Sequence, residues 1–540
     1  MAKPEKYDAV IIGGGHNGLT CAAYLAKAGR SVKVLEARDV VGGAAVTEEF
    51  HPGFRNSVAA YTVSLLNPKV IADLDLHSHG LEILERKVNN VWPQQDGGML
   101  AFLKDPAGTR AEIARFSEAD AGNLERYYAD ITLIADLLRD LVLETPPNVG
   151  GGWAELLPAA KLGNRMRGLS LAEQKLLLDL FTRSAADFLD GYFKHDAVRA
   201  AFAFDAIVGF YGSPYTPGSA YVLLHHAFGS VNGKKGVWGH AVGGMGAITG
   251  AMARACEAAG VSISTGARVE EVLVEDGRAT AVRLAGGEEI HGRAIVANVG
   301  PKLLYQQMID ARHLSEEFRR GIEGIKFGSG TFRMNVALDE LPRFTCLEGK
   351  SEDFLTAGIV IGPTMEYLDR AYADARRHGW SRAPIVEMLI PSTLDKSLAP
   401  EGKHVASLFC QQFAPDLDSR TSWPDGWDSA REIAADAVIE AVEEFAPGFA
   451  DSILARQILS PLDLERKFGM TGGDIFHGRL SLDQMFSARP LLGYANYRGP
   501  LKGLYMCGSG GHPGGGVTGA PGHNAARELL KDFKRGRVPR

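Results

Sequence analysis

Apolar positions along this chain fall into short continuous runs and longer runs of helical period. Tyr7–Ile12 (YDAVII) is a nearly unbroken apolar run, the pattern of a strand covered on both faces. Leu19–Ala28 (LTCAAYLAKA) continues with helical spacing and stops at Gly29, and Ser31–Leu35 (SVKVL) reads as a second strand closing on Glu36. Strand, helix and strand in this order predict a βαβ unit and a parallel sheet. The pattern resumes near Val237. A helix is expected from Gly243-Gly244-Met245-Gly246-Ala247 to about Ala259, then a strand at Val261–Ser264. Arg268–Val274, Ala279–Leu284 and Glu289–Ala297 follow, separated by Asp276-Gly277 and Gly286-Gly287, which are hairpin signals. Ala294–Pro301 (AIVANVGP) reads as a return strand. Gly503–Cys507 is the last strand, with a helix from about Gly519 to Leu530.

Between these segments the pattern changes. Asn123–Val142 and Leu171–Phe193 carry long helical periods, and Ser329–Leu338, Ala383–Ile390 and His404–Cys410 read as strands. The fold class is therefore α/β: a Rossmann-like, doubly wound parallel sheet with an inserted, mixed α+β domain. The first domain takes residues 1–75, 236–301 and 456–540, and the second takes 76–235 and 302–455. No internal repeat or low-complexity segment stands out.

Glycine alters the picture most. It supplies 64 of 540 residues, about 12 %, against ~7 % on average. Gly13-x-Gly15-x-x-Gly18 sits between the first strand and helix. Gly13 permits the tight turn, Gly15 lets backbone approach a pyrophosphate, and Gly18 lets helix pack on strand. The helix N-terminus then offers free N–H groups to phosphate. Glu36, 18 residues after Gly18, can accept the ribose hydroxyls of an adenosine, and an acid there argues against a 2′-phosphate. The alternative is a glycine turn that holds no ligand. Gly42-Gly43, followed by Ala44 and Ala45, lets backbone run close to a ligand that extends beyond its adenosine. At the far end, Gly508-Ser509-Gly510-Gly511-His512-Pro513-Gly514-Gly515-Gly516-Val517 leads into the last helix. Its N–H groups could lie against a flavin N1–C2=O edge; a second phosphate loop or a bare turn are the alternatives. No second G-x-G-x-x-G follows a strand, which argues against a separate NAD domain.

Charge and cysteines mainly exclude. The net charge of −7 and the pI of about 6.1 do not suit a nucleic-acid binder, and the one dense basic run is the tail, Lys531–Arg540. Lys3 and Lys6 precede an apolar run too short for a signal peptide, and no uninterrupted apolar window would span a bilayer. Five cysteines without C-x-x-C spacing indicate neither a structural zinc site nor a dithiol pair. A cytoplasmic protein without a metal site is expected.

Residues 7–47 and 503–526 resemble the two flavin motifs of the phytoene desaturase-type flavoproteins. That superfamily also includes retinol saturases, carotenoid isomerases and, more distantly, flavin amine oxidases. GGAAVTEE (Gly42–Glu49), GSAYVLLHH (Gly218–His226), SLDQMFSARP (Ser481–Pro490) and CGSGGHPGGGV (Cys507–Val517) carry the likeness. It implies a glutathione-reductase/amine-oxidase-like fold and FAD as cofactor. The implied contacts are Gly13, Gly15, Asn17, Gly18, Glu36, Ala37, Arg38, Gly42, Gly43, Ala44, Ala45, Val269 (by its backbone, at the adenine), Gly508, Pro513, Gly515, Gly516 and Val517. Many relatives have arginine where this chain has Ala44, so an arginine–flavin contact does not transfer.

The resemblance implies desaturation, saturation or isomerisation of a hydrophobic, polyene-like or isoprenoid-like molecule; the electron acceptor is left open between oxygen, a quinone and another carrier. The alternatives are an amine oxidase acting on C–N bonds, a redox-neutral isomerase, and a non-enzymatic flavoprotein with a protein partner. His226 and His512 are the candidate proton-transfer groups. Of the adjacent His225 and His226, about 100° apart on a helix, at most one is expected to face a cavity. His16 is expected against cofactor or solvent, and His477 and Arg489 in structural roles. Lys161, Arg165 and Arg167 precede the amphipathic Leu169–Phe181, which leaves a peripheral membrane contact open; a homo-oligomer is likewise open.

Overall fold

The computed structural model describes residues 6–148, 152, 156–419 and 423–538. Lys3 and the last two residues of the basic tail lie outside them. Strand β1 (Lys6–Ile12) runs parallel to β2 (Val32–Leu35) on one side and to Glu289–Ala297 on the other. Ser262–Ser264 extends the sheet beyond β2, and Leu504–Met506 pairs in parallel with the far half of Glu289–Ala297. The continuous apolar pattern of β1 has its cause in two covered faces. Ala9 and Ile11 pack towards α1 (His16–Lys27), Gly246–Ala258 and Ala520–Lys534, whereas Val10 and Ile12 pack towards Leu304, Tyr305 and Val272. Val269–Glu275 and Arg278–Leu284 complete the sheet as an antiparallel ribbon. Asp276 (φ 47°) and Gly277 (φ 72°) turn that ribbon, both in the left-handed region a two-residue hairpin needs.

A second seven-stranded sheet stands apart. Its spatial order is Ile453–Leu459, Thr331–Leu338, His404–Gln411, Ile385–Leu389, Gly358–Ile361, Val88–Pro93 and Met99–Leu103, antiparallel except between Gly358–Ile361 and Val88–Pro93. Every residue of Thr331–Leu338 and Ile385–Leu389 is buried, so both faces of this sheet are covered. Two sequence expectations shift. A boundary at 455/456 falls inside a strand, because Ile453–Leu459 pairs with Thr331–Leu338 along its length. The helix expected over Leu171–Phe193 breaks: Leu171–Thr182 ends at an extended Arg183, and Ser184 caps a new helix, Ala185–Leu189, through the Asp187 N–H. Among the described residues no helix is long and apolar enough to cross a membrane.

Candidate cofactor and active site

α1 begins at His16, earlier than its apolar pattern suggests. Its N-cap, Gly15, supplies no side-chain cap, and its first turn carries no acid. The first N–H groups are thus left for a ligand. Gly18 has no room for a side chain, since a Cβ there would lie 2.2 Å from the Gly13 carbonyl oxygen. Gly42, in an isolated bridge with Gly15, donates its N–H to Gly14 (2.9 Å) and brings Gly43 against the first loop. Glu36 is buried at the end of β2. Its Oε2 accepts the Gly14 N–H at 2.8 Å and its Oε1 accepts the Arg38 N–H at 3.0 Å. A carboxylate has about four lone-pair positions, so two remain.

These elements wall a cleft of about 470 Å³. Gly13, Gly15, Asn17, Glu36, Ala37, Arg38, Gly43, Ala44 and Val269 line it; Asn298, Arg268 and Lys467, which the sequence did not single out, line it too. Glu48 pairs with both Arg38 and Lys467, so the cleft has its own cations although residue 44 is alanine. Gly18, Gly42 and Ala45 shape the loops behind this lining. Asn17 Oδ1 and Arg38 Nη1 are buried polar atoms without a hydrogen-bond partner. An uncapped helix N-terminus, a half-satisfied carboxylate and two orphaned polar atoms around one cleft fit a dinucleotide.

The C-terminal glycine loop closes one end of this cleft. His16 Nε2–H donates to the Gly516 carbonyl at 3.1 Å, and Asn17 Nδ2 donates to Ser509 Oγ at 3.1 Å. Gly508 packs against Asn298, and Gly515 against Phe476, where a Cβ would lie 2.5 Å from the Phe476 Cα. The Arg489 guanidinium, buried, donates to the carbonyls of Ser509, Gly478, Gln484 and Phe476 and holds this layer together. The cysteines bear on the cleft only indirectly. Cys507 and Cys21, distant in sequence, are neighbours in the buried core, and burial, then Cys21, pushes the Cys507 thiol well up. Among the described residues no group of three or more His, Cys, Asp or Glu could hold a metal.

Beyond His16, Ala44, Met470, His477 and Ser509 the cleft opens into an inner cavity of about 140 Å³. Tyr61, Val208, His226, Met245, Ile248, Phe409, Phe476, Gly516 and Val517 line it. A smaller cavity of about 80 Å³ adjoins it at Ser64 and Leu65, lined by Tyr221, His225, His512, Pro513 and Gly515. Both adjacent histidines therefore face a cavity, against the expectation of at most one. Ser219–His226 ends where the two cavities meet, so directions about 100° apart lead into different ones. His226 Nδ1–H donates to the Val222 carbonyl at 2.9 Å, and burial lowers its pKa. His225 Nε2 is buried without a partner, and burial holds the ring down at about 3. His512 Nε2–H donates to the Leu141 carbonyl at 3.1 Å, with burial lowering it to about 4. These imidazoles are neutral near pH 7.

One group the sequence reading missed faces the inner cavity. The Tyr61 hydroxyl donates a short hydrogen bond to Glu387 Oε2. Tyr61 stacks on Phe409 at 4.9 Å, and the buried Arg333 guanidinium lies 4.6 Å from its ring centroid. Arg86 Nη1 approaches Glu387 Oε1 at 3.9 Å. Burial, then Glu387, raises the Tyr61 pKa well above its ordinary value. Near by, burial lifts Asp205 to about 7, with Glu387 adding to the rise.

The profile of the family described as "Flavin containing amine oxidoreductase" matches residues 18–332. The chain is 39 % identical over 559 residues to "Pyridine nucleotide-disulfide oxidoreductase domain-containing protein 2" of Rattus norvegicus, covering 98 % of this chain and 94 % of the rat protein. It is 25 % identical over 562 residues to "Phytoene desaturase (neurosporene-forming)" of Cereibacter sphaeroides, covering 98 % and 95 %. Among solved structures, wild-type putrescine oxidase bound to putrescine superposes with a TM-score of 0.61 at 16 % identity, over 98 % of this chain and 99 % of that one. Matched by family profile and by near full-length relatives, the chain belongs to the flavin containing amine oxidoreductase family and is an FAD-dependent oxidoreductase.

Proposed function

We propose that this enzyme oxidises a hydrophobic small molecule at carbon, by desaturation, rather than an amine at a C–N bond. The observation that carries the reading is the lining of the inner cavity beside the cofactor cleft. It consists mainly of aromatic and aliphatic side chains, with the four rings of His16, Tyr61, His226 and His477 and the hydroxyls of Thr62, Ser64 and Ser509, and among the described residues no carboxylate lines it. Glu387 lies behind the Tyr61 hydroxyl, and Arg333 already places a cation against the Tyr61 ring. A substrate ammonium would meet no counter-ion and one like charge.

Bound FAD supplies the hydride acceptor. The first glycine loop and the α1 N-terminus hold the pyrophosphate, Glu36 the ribose, Val269 the adenine and the loop 508–517 the flavin end. The chain's remaining work is to exclude water and to take up a proton. His226, His512 and the Tyr61–Glu387 pair are the groups placed for the second task, the histidines because burial keeps them unprotonated. The test is anaerobic. An apolar isoprenoid or polyene is expected to bleach the visible absorption of the purified flavoprotein, and a diamine such as putrescine is not. Bleaching by amines alone would overturn the reading.

A further inference from the structure

A further cavity lies apart from the cofactor cleft. A chamber of about 1300 Å³ lies between the helices Glu118–Val142, Leu156–Arg167, Leu171–Thr182 and Ala520–Lys534. Ligand pockets usually measure ~300–1,000 Å³, so this space exceeds what one compact molecule needs. Leucines make much of its wall, and at the mouth Leu157 and Leu178 stand 80 % and 60 % exposed, uncovered by other protein. Its floor is Phe486 and His512, with the Phe486 ring stacked on Phe181 at 5.8 Å. Leu138, Phe486 and His512 also line the small cavity of His225, and that cavity meets the inner one at Ser64 and Leu65. The chamber therefore leads, through one aromatic constriction, towards the cofactor.

Its charge differs from the rest of the chain. Lys161, Arg498, Arg527, Lys531 and Arg535 line it against Glu144 and Glu528, five cations to two carboxylates, on a chain of net charge −7. Glu144 pairs with Lys161, and Glu528 with Arg498 and Lys531. Arg527 donates to the Leu143 carbonyl at 2.7 Å. Among the described residues neither Arg527 nor Arg535 has a carboxylate in ion-pair range. An apolar chamber whose lining holds two guanidinium groups without a carboxylate in range is complementary to a long apolar chain with an anionic head.

We propose that this chamber binds a single-chain anionic amphiphile, its carboxylate or phosphate held by Arg527 and Arg535 and its chain directed past Phe486 towards the cofactor. As a description of the enzyme's substrate, this rests on the proposed oxidation at carbon; as a binding site, it stands without it. The test is calorimetric titration of the FAD-loaded protein with monomeric oleate and with oleyl alcohol, which has the same chain and no charge. Oleate is expected to bind once per chain, at least about tenfold more tightly than the alcohol. The double variant Arg527→Gln/Arg535→Gln should lose that advantage while still binding the alcohol, and Arg527→Lys/Arg535→Lys should keep most of it. Leu177→Asp, in the wall, should weaken both ligands. Unchanged flavin absorption in each variant reports an intact fold. Equal affinity for oleate and alcohol, no binding of either, or binding only to vesicles containing anionic phospholipid would each overturn the proposal. Tight oleate binding with no substrate-dependent bleaching would leave the site standing and remove the proposed reaction.

Discussion

Glu36 does two jobs that a single substitution separates. Its carboxylate already accepts the Gly14 and Arg38 N–H groups, at 2.8 and 3.0 Å. Two acceptor positions are left for a ribose. Glu36→Ala strips the buried Gly14 amide and the part-buried Arg38 amide of their partner, at ~1–3 kcal/mol each; water reaching the opened cleft puts the total at the low end, about 2 kcal/mol. It also removes the ribose contacts, where a hydrogen bond to a charged group is worth ~1.5–3 kcal/mol. Losing about 3 kcal/mol corresponds to roughly a hundredfold in Kd. Two measurements follow: FAD titration of the apoprotein by flavin fluorescence, and the urea midpoint of the same apoprotein without FAD. Both should fall. Glu36→Gln should lie between, because its single oxygen serves one amide and its NH2 faces the other N–H. An FAD affinity within about threefold of the parent, against the hundredfold expected, would refute the assignment of Glu36 to the ribose. A weakened affinity with an unchanged apoprotein midpoint would refute its role in bracing the loop.

Tyr61→Phe keeps the ring stacked on Phe409 and deletes only the hydroxyl. If the Tyr61–Glu387 pair moves the substrate proton, anaerobic flavin bleaching should slow by ~10²–10⁴-fold and its pH profile should change, with FAD affinity intact; an unaltered rate removes the pair from the chemistry. Acid should unfold the protein early. Burial holds His16, His225 and His512 at about 4, 3 and 4, below the unfolded value of ~6.5. Between those limits the unfolded chain binds protons that the folded chain does not, so stability is full above pH ~6.5 and is lost as pH falls towards 4, by up to about 3 kcal/mol per histidine. Asp205, raised to about 7, and Asp474, raised by burial, act in the opposite sense, but they are two groups against four, since burial also lowers His477 to about 4. A urea midpoint that stays flat or rises between pH ~7 and ~5 would contradict this sign.

The parts of the fold that depend on local rules were legible in the chain. Two-sided burial of β1 made its apolar run continuous, and Asp276-Gly277 turns the ribbon where the dipeptide predicted. The glycine spacing was legible for the same reason: backbone geometry within a few residues decides it. The Tyr61–Glu387 pair was not, because its members lie 326 residues apart and each looks ordinary in its own segment. Periodicity gave the angle between His225 and His226 but not that two cavities flank the end of their helix. The break at Arg183 was hidden by apolar spacing that continues across it, and only the Ser184 cap marks it. The Cys21–Cys507 contact follows from the parallel sheet and its covering helix, which no cysteine spacing records.

The His16–Gly516 hydrogen bond joins two loops separated by 500 residues. At ~5–20 residues per second of synthesis, the second half of the cofactor cradle leaves the ribosome roughly 25–100 s after the first. The first βαβ unit can form early, but its phosphate loop must wait with its helix N-terminus uncapped while both inserted segments are made. Cofactor loading is therefore an event of the finished chain. A nascent chain arrested before residue 503 would expose the half-built cleft, and free FAD supplied during synthesis would protect only completed molecules from proteolysis.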